Sequence, residues 1–135
     1  MSLPTWTPTR LLRFLRQQLN HPEVHLQFTK LHTEVAVLNY QRRLPYKNIT
    51  ISIDEDQGSR ISSLIHELLH LVWLHFFPKT ENKPQIDREL EEMLVAGLEN
   101  ELNQYILNSP RQLAGWRRAI DQKLRAQEQE NGAEA

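Results

Sequence analysis

The most apolar stretch of this chain, Leu64 to Phe77, also carries His66, Glu67, His70 and His75. Fourteen residues are too few to cross a bilayer, so the stretch belongs inside a folded domain. Asp56-Gln57-Gly58-Ser59 is a turn rich in N-cap residues, and Pro78 is a stop, so the residues from about Arg60 to Phe77 form a helix. A buried imidazole or carboxylate costs roughly 2–7 kcal/mol or more unless it finds a partner. Whatever packs against this helix must answer His66, Glu67 and His70.

His66-Glu67-Leu68-Leu69-His70 is the HExxH pattern. At 3.6 residues per turn the two histidines lie about 40° apart and one turn along the helix. Both rings therefore reach one cation, as zinc requires of nitrogen ligands near 2 Å. Glu67 falls close to the same face, where a general base stands to take a proton from a zinc-bound water. With this composition, a shuffled chain contains roughly 0.03 such matches. The competing reading is a buried helix whose histidines simply bond to their neighbours.

A catalytic zinc site normally has three protein ligands. Cysteine is absent, so the third must be His, Asp or Glu. His75 is about 140° around the helix from His70 and does not join the pair. Trp73 and Phe76 stand where the longer HExxHxxGxxH form needs Gly and His. His21, His25 and His32 lie in a helix end and first-strand region, and read as solvent or edge residues. The segment DRELEEMLVAGLENEL, within a helix from about Asp87 to Leu107, offers carboxylates instead. A wheel that turns Leu90, Met93, Leu94, Gly97 and Leu98 inward puts Glu91 at the edge of the packed face, about 70° from its centre. Glu92 and Glu99 then point outward, and Glu89 lies on the polar flank. The third ligand is expected to be Glu91, with Glu92 and Glu89 as rivals, and Asp87 is placed to orient a liganding histidine.

The rest of the chain reads as one α+β domain. Thr7-Pro8 opens a helix bearing Leu11, Leu12, Phe14, Leu15 and Leu19, which stops at His21-Pro22. Val24, Leu26 and Phe28, then Val35 to Tyr40, then Ile49, Ile51 and Ile53 suggest three strands. Thr50, Ser52 and Asp54 face the other way from the isoleucines. After the Asp87–Leu107 helix, Asn108-Ser109-Pro110 leads to a last helix with Leu113, Trp116, Ile120 and Leu124 inward. The domain is expected over residues 1–127, with 128–135 a polar, disordered tail.

Sixteen basic against seventeen acidic side chains leave no global field for nucleic acid or membrane. MSLPTWTPTR lacks an apolar secretion core, so a soluble, cytoplasmic protein is expected, with a peptide or protein as partner and its oligomeric state open.

LIHELLH followed about twenty residues later by a glutamate-bearing helix resembles the gluzincin branch of zinc metallopeptidases, and in length the small minigluzincins. ImmA/IrrE-like regulatory peptidases, which usually read HELGH, are near neighbours. The resemblance spans mainly residues 49 to 105, and HELLH is its specific part. It implies a minimal zincin-like fold, Zn2+ held by His66, His70 and a downstream glutamate, and Glu67 as general base. It also implies an upstream edge strand, here ITISID, that holds the substrate extended by strand addition. Peptide hydrolysis further needs an oxyanion stabiliser, for which Tyr105 and His75 are the available types. Two other readings remain. One is a catalytically silent or self-inhibited zinc-stabilised scaffold. The other is a DNA-associated protease, as in SprT-like proteins, using Arg10, Arg13, Arg16, Arg42, Arg43, Arg117, Arg118 and Arg125 if the terminal helices lie together.

Overall fold

The computed structural model describes residues 7–31, 36–39, 49–54, 60–76 and 85–134. Within them the chain is α+β: four helices and a three-stranded mixed sheet. Helix α1 (Pro8–Leu19) starts where Thr7 Oγ1 accepts the N–H of Arg10 at 3.2 Å, with Pro8 in the first turn. Its Leu12, Leu15 and Leu19 are fully buried. The strands are β1 (Val24–Thr29), β2 (Ala36–Asn39) and β3 (Ile49–Asp54). Helices α2 (Arg60–Phe76), α3 (Gln85–Leu107) and α4 (Pro110–Glu134) follow.

The sheet order is β1-β3-β2, with β1 parallel and β2 antiparallel to β3. This overturns the expectation that ITISID is an edge strand. Both neighbours of β3 are protein, so its main chain is committed on both sides and cannot take up a substrate. Burial agrees: Ile49, Ile51 and Ile53 are buried on one face, Ser52 and Asp54 on the other. Asp54 Oδ2 accepts the N–H of Leu31 at 2.9 Å, which supplies one partner for a carboxylate so deeply placed.

The two edges differ. On β1, the Gln127 side chain of α4 accepts from Leu26 N–H at 2.7 Å and donates to Leu26 C=O at 2.8 Å. A carboxamide thereby stands in for one residue of a neighbouring strand and blocks that edge. The same clamp ties α4 to the sheet. The helix continues to Glu134, where a polar tail from residue 128 was expected. Gln, Glu and Ala in this stretch are good helix formers, which offsets the cost of Gly132, about 1 kcal/mol.

One core joins all the elements. Leu64, Ile65, Leu68 and Leu69 of α2 meet Ile51 and Ile53 of the sheet, with Val95, Leu102 and Ile106 of α3 and Trp116 and Ile120 of α4 completing it. Helix α2 packs on β2, β3, α1 and α3, so it is the hub of the molecule. No helix among the described residues is long and apolar enough to cross a membrane.

Candidate metal centre

Helices α2 and α3 face each other along two matching rows of polar side chains. On α2 these are Ser62, His66 and His70, one turn apart each. On α3 they are Glu91 and Glu92, then Glu99 and Asn103. Residue numbers rise along one row as they fall along the other, so the helices run antiparallel here.

Each histidine uses its two ring nitrogens differently. Nδ1 of His66 donates to Glu99 Oε2 at 2.7 Å, and Nδ1 of His70 donates to Glu91 Oε2 at 2.8 Å. The Nε2 atoms turn toward one point. They lie 3.2 Å apart, and each is 3.0 Å from an oxygen of Glu92: His66 from Oε1, His70 from Oε2. With Nδ1 protonated and held by carboxylates, a neutral imidazole presents a bare lone pair at Nε2. Two such lone pairs and two carboxylate oxygens then converge with no hydrogen among them. That arrangement is repulsive unless a metal ion lies between, or one ring carries a proton that it donates to Glu92.

The spacing suits a metal ion. Two nitrogens bound tetrahedrally to zinc at 2.0–2.1 Å are about 3.3–3.4 Å apart, against the 3.2 Å between the Nε2 atoms. His66, His70 and Glu92 are the three residues whose donor atoms fall within one ion's reach among the described residues. Two histidines and one glutamate are the donor set of thermolysin-type catalytic zinc.

The carboxylate that lies between the rings is Glu92, one of the two rivals, where Glu91 was expected. Glu91 is buried, 5% exposed, against the far nitrogen of His70, and Glu92 takes the place between the rings. Glu99, expected to point outward, holds His66, and is itself held by Ser62 Oγ at 2.8 Å. Asn103 donates to Ser62 Oγ at 2.8 Å and closes this chain of bonds. The cause is a rotation of α3. Leu90, Met93, Leu94 and Leu98, expected inward, are 43–65% exposed, while Glu91, Val95, Leu102 and Ile106 are buried. Glu89 is exposed and stands outside the group.

Glu67 is buried on α2, 7% exposed, and its charge acts on His66. Tyr105 does not face the cluster by its hydroxyl, which meets Thr9 Oγ1 at 2.7 Å. His21 Nδ1 accepts the N–H of Glu23, and His25 is exposed on β1. The side chains of His75 and Asp87, and residues His32, Arg42 and Arg43, lie outside the described residues.

The carboxylates set the protonation of His66. Burial disfavours its charged form and is the largest single influence. The hydrogen bond to Glu99 and the charges of Glu67, Glu99 and Glu92 together outweigh it, so its pKa is raised above the ordinary value. In metal-free protein the folded state therefore holds this proton more tightly than the unfolded chain. The stabilisation is complete below about pH 6.5 and is lost as pH rises through the higher folded value. Chelator-treated protein is expected to unfold at lower urea concentration near pH 8 than near pH 6, and His66→Gln to flatten that difference. A chelated protein that gains stability over this range, through a step that His66→Gln removes, would contradict the assignment.

Comparison with protein-family models, with curated proteins and with solved structures finds no match to this chain.

Proposed function

We propose that the protein is a zinc-dependent metallopeptidase that hydrolyses peptide bonds, with His66, His70 and Glu92 as metal ligands and Glu67 as general base. The observation that carries the reading is the convergence of both Nε2 atoms on the Glu92 carboxylate, with Glu67 on the turn between the two histidines. A zinc ion bound there would acidify a water molecule and polarise the substrate carbonyl.

The chain's own residues do the rest. Glu91 and Glu99 hold both imidazoles in the tautomer that presents Nε2 toward a cation. Glu67 accepts a proton from the attacking water and returns it to the departing amine, which leaves as a neutral group. The core side chains of α2 hold these residues on a rigid helix, so the base keeps its aim between turnovers. Access comes from the Glu92 side, where that carboxylate is 60% exposed while His70 and Glu91 are shielded. A catalytic site needs such an open position, whereas a closed structural site has four protein ligands. Among the described residues β2 is the edge left for an extended substrate, because β3 is interior and Gln127 blocks β1.

The same donor set also holds iron in some oxygenases. A buried glutamate beside the pair favours the hydrolytic reading, since it supplies the base that hydrolysis needs. Incubation of the zinc-loaded protein with a mixture of unstructured peptides, read by mass spectrometry, is expected to yield new amino termini that a chelator suppresses. Zinc-loaded protein that cleaves none of them favours the silent scaffold.

A further inference from the structure

The arginines of the terminal helices are not used by the metal centre, whose residues all lie on α2 and α3. Helices α1 and α4 pack together, and between them is a cleft of about 330 Å³ lined by Arg16, Asn20, Gly115, Arg118, Ala119 and Gln122. Its lining offers two guanidinium groups and two carboxamides, and no acidic side chain. Neither arginine has a carboxylate in ion-pair range among the described residues. Arg118 is exposed and Arg16 half-buried.

Arg16 is seated. Its guanidinium carbon lies 5.8 Å from the centre of the Trp116 ring, which is fully buried. A Cβ on Gly115 would stand 2.8 Å from Arg16 Nη1. The absence of a side chain at residue 115 is what allows the guanidinium to lie so close to α4. A positive group against the Trp116 ring, beside an exposed second one, suits the fork-to-oxyanion pairing that arginine favours. Asn20 caps the C-terminus of α1, whose dipole opposes an anion. That end carries about half a negative charge, against two full positive ones.

We propose that this cleft binds a phosphate-class oxyanion, with Arg16 and Arg118 as its charged ligands and Asn20 and Gln122 as neutral donors. The source is either a small phosphate monoester or the backbone phosphate of a nucleic acid, and both present the same tetrahedral oxygens.

The test titrates inorganic phosphate into the full-length protein at constant ionic strength. It is followed by calorimetry and by the arginine Nε–H signals in NMR. Saturable binding at one site is expected, with Arg16→Ala and Arg118→Ala each weakening it about tenfold or more. Gly115→Ala should weaken it while leaving both charges present, and Arg117→Ala, outside the cleft, should change nothing. Arg118 is exposed, so its variant keeps the fold and the test stands even if the Arg16 variant unfolds. No saturable binding, or binding indifferent to both arginines, overturns the proposal; phosphate held at the metal centre would behave in the second way. A short single-stranded oligonucleotide that displaces phosphate with the same dependence on Arg16 and Arg118 identifies a nucleic-acid backbone as the source. Binding of phosphate and a monoester without such competition identifies a small ligand.

Discussion

Glu67→Gln is expected to keep its metal and to lose about 10²–10⁴-fold in kcat for peptide hydrolysis. The substitution preserves shape and removes only the basic oxygen. Glu67 is no member of the donor group formed by His66, His70 and Glu92, so metal content should stay at the wild-type level. Loss of its charge also removes one of the influences that raise the His66 pKa. Peptide cleavage at the wild-type rate in a metal-loaded Glu67→Gln protein would sink the base assignment. Loss of metal from that variant would instead make Glu67 a ligand.

The adjacent pair Glu91 and Glu92 should respond very differently to the same change. Glu92→Ala removes the carboxylate that, among the described residues, reaches both Nε2 atoms, leaving two ligands where catalytic zinc sites have three. Glu91→Ala removes the acceptor for His70 Nδ1 and leaves the three donors in place. Partners of that kind typically contribute 10–100-fold in metal affinity, and that is the loss expected for Glu91→Ala. The loss for Glu92→Ala should exceed it clearly. Competition with a fluorescent zinc chelator ranks the two. Equal losses, or the reverse order, would return the third ligand to Glu91.

Much of the site was legible because it is local. HELLH fixes its own geometry once its segment is helical, and helicity was expected from the N-cap residue types before Arg60 and from Pro78 after it. The place of Glu92 between the two rings was not legible from the wheel of α3, because that wheel assumed the most apolar face turns inward. In the structure the helix is rotated so that Glu91, Glu92 and Glu99 meet the α2 histidines, and Leu90, Met93 and Leu94 are left toward solvent. The α2 histidines need those partners, and leaving them unpaired costs more than exposing part of several apolar side chains. A signal was present in the chain: Ser62, His66 and His70 recur every four residues, and Glu92, Glu99 and Asn103 recur at seven and four. Two polar stripes of matching helical spacing are complementary only when they face each other.

Strand order was hidden for another reason. Alternation in Ile49 to Asp54 shows which side chains share a face, but it is silent on which strand is central. Asp54, buried and accepting from Leu31, is tied to a loop that no periodicity reveals. The clamp between Gln127 and Leu26, about a hundred residues apart in sequence, is likewise a contact that no local pattern reveals.

The account stands on a cation between His66, His70 and Glu92. Its most direct test is native mass spectrometry of the protein purified without added metal, repeated on His66→Ala. One zinc per chain, lost in the variant, is the expected result. Protein that takes up no divalent metal even after incubation with excess zinc, while remaining folded, would contradict it and leave the polar rows of α2 and α3 a purely structural ladder.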